Sequence, residues 1–424
     1  MKSVIELFEE ISAIPRCSYE SDRLKNYLVD YSKKFGFEAK VDKAGNVLCK
    51  KGEPKVCLQS HYDMVCLGDA PKVELVYDES ILRAKNSTLG ADNGMGVAIM
   101  LYCMQKYNNL ETLFTANEEV GLIGASNLEL EITAPNILNI DSEDENAICI
   151  GCAGGSDVIC EKKIHFIPLQ NDEKIYKASV VGLPGGHSGV DIDKNIPSSI
   201  KVLARFLSEH NCELIDIKAG ERRNSIAKNG EAIFTCRDNL KETKHIKISQ
   251  IEDNSYKKIK NSKLIIKALD AFCQGVRAWN KELNIPQDSA NLGVVEADGD
   301  IFKIVISLRS MSDDDMHNLE AQTRSFFEIC GFETSFPSSH EAWTPYIGDF
   351  AKEVKAMASK YIPNIKFEAI HAGLECGILI AKQDKPKEAV SIGPNIRFPH
   401  SLREECDLDS VEKIKKIVEE IILL

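Results

Sequence analysis

Long apolar runs are missing from this 424-residue chain. No stretch approaches the roughly 18 consecutive apolar residues that a membrane-spanning helix needs, which excludes a bilayer span. Positive charge is also in short supply. Against 65 Asp and Glu stand 52 Lys and Arg, and the formal charge of −13 repels phosphate backbones and anionic lipid alike, so neither nucleic acid nor a membrane surface is an expected partner. The Lys-rich stretch near residues 257 to 263 reads as a solvated face. The opening MKSVIELFEEISAIPRC carries acids where a secretory signal carries basic and then apolar residues, and a cytoplasmic location is expected. With 43% hydrophobic and 28% charged residues and only 14 prolines, the polar excess of a disordered chain is absent as well. At about 150 residues per domain, two or three domains are expected.

Cysteine is neither rare nor dense enough for a secreted disulfide scaffold: there are 14, mostly inside apolar runs such as KVCLQS and MLYCMQ. Reduced, buried side chains are the expected state. The CxxC pair Cys149 and Cys152, in AICIGCAGG, has no second CxxC to complete a zinc site and no helix directly after it, so it too reads as core.

Hydrophobic spacing predicts two amphipathic helices between Ser3 and Phe35, then short strands FEAKVD, NVLCK and KVCLQS. Strand and helix then alternate: a helix over LGADNGMGVAIMLYCMQKY, a strand LETLFTAN, a helix over GLIGASNLEL and a strand NILNIDSED. That alternation predicts a layered α/β mixed sheet with some parallel strands, in which functional residues collect beyond strand ends. Near residue 174 the rhythm changes, and an inserted α+β domain is expected over 174–340, between segments 1–173 and 341–424 that form the other domain. Within the insertion, a strand, a helix over 196–209 and paired strands are echoed by a helix over 263–279, further strands and a helix over 313–329, as in two related halves. The chain closes on a helix with an Asp cap and an apolar stripe, DLDSVEKIKKIVEEIILL.

Histidine is scarce, with nine in all, and two stand near carboxylates after strands. His61 ends KVCLQSH with Asp63 two residues on, a spacing that suits a ligating imidazole whose far nitrogen is held by a carboxylate. His400 ends SIGPNIRFPH. Asp92 sits among glycines where a helix opens, Glu118 and Glu119 follow an apolar strand, and Asp141 ends another. Each has a plain reading as a cap or a solvated turn. Together they hold too many carboxylates for a thiolate-type structural zinc site and too many histidines for calcium or magnesium, and they fit two borderline divalent ions sharing Asp92.

The segments SHYDMV, LGADNGMGVA, TANEEVGLIGA, NIDSED, GLPGGHSG, GLECGIL and SIGPNIRFPHS, running in order from residue 61 to 401, resemble the cytosolic aminoacyl-histidine (Xaa-His) dipeptidases. These are two-zinc metallopeptidases related to carnosinases and aminoacylases. The resemblance implies two Zn2+ per chain, with Co2+ or Mn2+ as substitutes, and hydrolysis of unblocked dipeptides, Xaa-His and broader. His61, Asp92 and Asp141 would hold one ion and Asp92, Glu119 and His400 the other. Asp63 would orient His61, and Glu118 would be the general base acting on the zinc-activated water. The insertion would be a lid through which the chain pairs as a homodimer. His187 in GLPGGHSG would stabilise the oxyanion, and Arg309 would grip the substrate carboxylate. Asn224 and Asn291 are further lid candidates, and Glu375 is preferred to His371 as the residue that recognises a free α-amine. The last motif departs from the family pattern: RFPHSLREE has no small residue before its histidine and no proline soon after it. Two other readings remain: a related deacylase acting on N-acyl amino acids, which has no use for an acid at Glu375, and a non-catalytic metal-dependent binding protein, which predicts decay among these residues where none is seen.

Overall fold

The computed structural model describes residues 1–253, 255–385 and 387–424. The chain forms two compact units: Met1–Cys152 with Trp343–Ala369 and Leu374–Leu424, and Ala153–Ala342 with Ile370–Gly373. The second unit begins some twenty residues before the expected position 174, because the strand Gly154–Lys163 is an inner strand of that unit's sheet, paired with Ile301–Ser310 on one side and Glu333–His340 on the other.

The first unit is built on an eight-stranded sheet in the order Glu38–Val41, Val47–Lys51, Leu110–Thr115, Val56–His61, Asn136–Asn139, Glu388–Ser391, Ala147–Cys152, Lys366–Ile370. Val56–His61 runs parallel to both of its neighbours, and Glu388–Ser391 runs parallel to Asn136–Asn139. Every residue of Val56–His61 and of Leu110–Thr115 is buried, as parallel strands covered on both faces require. The parallel strands therefore end at one edge, and His61, Glu118, Glu119 and Asp141 leave the sheet there.

The helices follow the predicted caps and stripes. Val4–Ser12 starts with a capping box from Ser3 and buries Leu7, Phe8 and Ile11. Leu408–Ile422 is capped by Asp407 and buries Val411, Ile414, Ile417, Val418 and Ile421, each worth about 1.5–3 kcal/mol of burial. Ala91–Lys106 is buried on nearly every side, and its opening is irregular: Asp92 and Asn93 depart from helical dihedrals.

Three expectations are corrected. In GLIGASNLEL only Ile123–Ser126 is helical, because Gly121 and Leu122 adopt left-handed or related positive φ and both donate their N–H to the carbonyl of Glu118, closing a tight turn first. The helix expected over 263–279 spans Ser262–Ala271. Gly275, at φ +101°, turns the chain into a strand, Gly275–Asn280, that pairs with Ile285–Asp298. The cysteines are not all reduced: Cys17 and Cys66 form a disulfide across a sequence separation of 49 residues. A local pairing of residues 16–18 with Met64 brings their Cα atoms to 5.6 Å, within bridging range. Of the remaining cysteines Cys273 is exposed and the others, Cys149 and Cys152 included, are buried.

The second unit carries a nine-stranded sheet in which the two echoed halves lie side by side, joined where Glu213–Ala219 meets Ile285–Asp298. The helices Ser199–Glu209, Ser262–Ala271 and Asp313–Ile329 contribute Leu203, Leu207, Ile266, Leu269, Leu319 and Phe327 to its core. Among the described residues no helix is long and apolar enough to cross a membrane.

Candidate active site

Side chains from five segments, a strand end, a helix start and three loops, meet at the carboxyl edge of the first unit's sheet. His61 Nε2 lies 3.1 Å from Asp92 Oδ1, 3.4 Å from Asp141 Oδ1 and 3.8 Å from Glu118 Oε2. His400 Nε2 lies 2.9 Å from Asp92 Oδ2 and 2.8 Å from Glu119 Oε2. Asp92 thus turns one oxygen to each histidine. Three groups have donor atoms within 4.8 Å of one another: His61 with Asp92 and Asp141, Asp92 with Glu119 and His400, and His61 with Glu118 and Glu119. The first two are the sets that the resemblance implied, brought together from positions as far apart as 61 and 400. The third leaves Glu118 within reach of a metal.

This donor set fits a two-metal centre. Four carboxylates share the pocket with two imidazoles and no thiolate, a mixture that suits borderline divalent ions. Glu119 Oε1 is buried without a hydrogen-bond partner, an acceptor with unused capacity. The charges are mutually stressed. Burial pushes the Glu118 carboxyl well above its usual range, opposed by His61 and reinforced by Glu119, Asp141 and Glu375. Burial would raise Asp92 too, but hydrogen bonds from His400 and His61 outweigh it and hold that carboxyl far below its ordinary value.

Asp63 stands beside His61. Its carboxylate is 3.6 Å from His61 Nδ1, an ion-pair distance, and its backbone carbonyl is 3.2 Å from that nitrogen. The carboxylate also accepts from Ser18 Oγ (2.7 Å) and from the backbone N–H of Glu118 (2.9 Å) and Glu119 (3.4 Å). It therefore holds the turn that presents the acidic pair. Asn93 donates to the Ile140 carbonyl at 2.7 Å and to Asp141 Oδ1.

Glu375 is fully buried. Gln59 Nε2 (2.5 Å) and Thr115 Oγ1 (2.6 Å) donate to its Oε2, Oε1 has no hydrogen-bond partner, and burial pushes its carboxyl up to about 7. Sequence reasoning passed over Gln59, Thr115 and Asn93, and also Arg16 and Glu404, which lie buried beneath the Asp92 turn. Polar residues inside an apolar strand, as in KVCLQSH, were the available signal for Gln59 and Thr115. Glu404 stands four residues after His400, whereas nothing near Arg16 marks it.

His187, Asn224, Asn291 and Arg309 belong to the second unit. His187 lies on a two-residue strand, Gly186–His187, paired with Ser225–Ile226. Its Nδ1 accepts from the backbone N–H of Gly189 and Val190, both at 3.2 Å, which places the ring proton of the neutral form on Nε2. Asn291 is buried, and its amide donates to the carbonyls of Arg223 (3.2 Å) and Ser225 (2.8 Å) while Gln274 donates to its oxygen (3.3 Å). It braces the loop that carries Asn224. Arg309 lies opposite Ser289, whose hydroxyl is 2.7 Å from His371 Nε2. Burial, with Arg309 nearby, pushes the His371 imidazole down to about 3.

No protein-family model matches the chain. Over an alignment of 458 positions it is 30% identical to the cytosol non-specific dipeptidase of Escherichia coli (strain K12), covering 96% of this chain and 94% of that protein. Among solved structures it is similar to the aminoacylhistidine dipeptidase from Vibrio alginolyticus, with a TM-score of 0.74 and 26% identity over 98% of this chain and 96% of that one. It shares its fold with human carnosine dipeptidase 1, at a TM-score of 0.59 and 13% identity over 99% and 96% of the two chains.

Proposed function

The chain belongs to the metallopeptidase family of the cytosol non-specific dipeptidase, and on that premise we propose that it is a two-zinc dipeptidase cleaving the peptide bond of unblocked dipeptides, Xaa-His among them. The observation that carries the reading is Asp92, one oxygen toward His61 and the other toward His400, with Asp141 and Glu119 completing the two sets. Imidazole nitrogen mixed with carboxylate oxygen favours zinc over calcium or magnesium. Bound there, the ions supply an acidified water and polarise the scissile carbonyl.

The chain's own groups do the rest. Glu118 takes a proton from the attacking water and returns it to the leaving amine, and Asp63 sets its position through the backbone. His187, with Nε2 as its donor, stabilises the oxyanion. Arg309 takes the terminal carboxylate through paired hydrogen bonds, helped by Asn224 on the loop that Asn291 braces. Glu375 receives the substrate α-ammonium on Oε1, the oxygen with unused capacity. The second unit is the lid, and the protein is a cytoplasmic homodimer paired through it. Light scattering after gel filtration that gave the 47.1 kDa monomer mass would overturn the pairing.

The test is amine release from free dipeptides and from their N-acetyl counterparts, with and without chelator. Chelator-sensitive cleavage of the free dipeptides alone is expected. Cleavage of the blocked compounds would make the protein a deacylase, and cleavage of neither would leave a binding protein.

A further inference from the structure

Two buried side chains that touch no metal-binding atom tie three ligand-bearing segments together. The Glu404 carboxylate is 3% exposed and accepts four consecutive backbone N–H groups at the start of the Asp92 helix. Oε2 takes Leu89 (2.9 Å) and Gly90 (3.0 Å), and Oε1 takes Ala91 (2.8 Å) and Asp92 (3.3 Å). A short turn, closed by the Glu404 N–H on the Ser401 carbonyl at 3.2 Å, joins this carboxylate to His400. Arg16, 1% exposed, reaches the same peptide from the other side: its guanidinium donates to the carbonyl of Gly90 and to those of Asp63 (3.3 Å) and Tyr62 (3.5 Å), just after His61.

The glycines of LGADNG are shaped to this arrangement. A Cβ on Gly90, itself at φ +67°, would stand 2.5 Å from Arg16 Nη2 and 2.9 Å from the Met64 sulfur, and one on Gly94 would stand 2.5 Å from the same nitrogen. Burial of the guanidinium is partly offset by the nearby carboxylates of Glu404, Asp63, Asp92 and Glu119, and an anion across four N–H groups is the strong form of a helix cap. A local Ser or Asp could have capped this helix. Here the cap comes from more than three hundred residues away, on the loop that carries His400.

We propose that Arg16 and Glu404 are positioning residues that fix the Asp92 carboxylate between its two histidines. The proposal rests on the two-metal reading. Its test is calorimetric titration of the metal-free protein with Zn2+, together with the visible spectrum of the Co2+ form, for wild type, Glu404→Gln and Arg16→Lys. The amide of Glu404→Gln turns a donor toward backbone donors, and Arg16→Lys keeps the charge but loses the fork. Wild type should bind two equivalents. Each variant should lose about 10–100-fold in affinity for at least one of them and shift the Co2+ bands, as outer supports of metal ligands do. Ser3→Ala, which removes a cap on the first helix, should lower thermal stability and leave both readouts unchanged. Two equivalents bound within twofold of wild-type affinity, with an unshifted spectrum, would overturn the proposal. If neither variant folds, the pair is a folding element and the proposal fails as well. A wild-type protein that binds fewer than two ions would instead sink the two-metal reading.

Discussion

Glu118→Gln separates the proton-transfer role proposed for Glu118 from a role in holding metal. The change keeps the size of the side chain and removes its ability to take a proton. It spares the turn, because the bond from this residue to Asp63 Oδ1, 2.9 Å, runs through the backbone N–H. It also removes one carboxyl from a buried set that includes Glu119, Asp141 and Glu375, so the metal-free protein should be at least as stable as wild type. A positioned general base contributes about 10²–10⁴ in rate, or roughly 2.7–5.5 kcal/mol in the barrier. We therefore expect kcat to fall by that factor with KM within a few-fold, measured as amine release from a free dipeptide, with metal content by mass spectrometry unchanged. Turnover within tenfold of wild type at full metal content would refute the base assignment. Loss of one ion together with turnover would refute it differently, showing that the grouping of Glu118 with His61 and Glu119 is a metal site.

Asp63→Asn should lower both stability and kcat, since an amide cannot accept from Glu118 N–H, Glu119 N–H and Ser18 at once. A buried donor facing a donor costs about 1–3 kcal/mol, and scanning calorimetry beside steady-state kinetics checks both effects; an unchanged kcat would show that the turn holds itself. Stability should also fall in acid through His340, whose imidazole burial, with Arg309 nearby, pushes down to about 4. The unfolded chain binds this proton near pH 6.5 and the folded chain only near 4, so the contribution is complete above about 6.5 and disappears as pH drops toward 4, by at most about 3 kcal/mol. His371 acts in the same direction. Denaturant unfolding of chelator-treated protein between pH 7 and 4 measures this, and a His340→Gln variant with the same pH slope as wild type would refute it.

What local sequence carries is the identity of the site. His61, Glu118, Glu119 and Asp141 each follow a short apolar strand, and Asp92 opens a helix among glycines, so their chemistry and their place at a sheet edge could be read from neighbouring residues. The closing helix was equally readable, because its Asp cap and apolar stripe lie within the element. Elements whose outcome depended on a distant partner were not. Residues 275–280 continue the apolar spacing of the helix before them, and it is pairing with Ile285–Asp298 that makes them a strand. The disulfide was hidden because Cys17 and Cys66 meet only through backbone pairing across 49 residues.

Asp63 shows the same division within the site. Its spacing from His61 was visible, but that its carboxylate would also take the backbone N–H of Glu118 depended on where the next strand's loop came to rest. Sequence by itself determined which donor atoms the chain offers and which strand ends present them, because side-chain chemistry and strand alternation are local properties. Only the tertiary structure decided which carboxylate oxygen faces which histidine, and that Arg16 and Glu404 bond the peptides around Asp92. Those hydrogen bonds run to backbone groups, which every residue carries alike, and no residue pattern marks which peptide will be held.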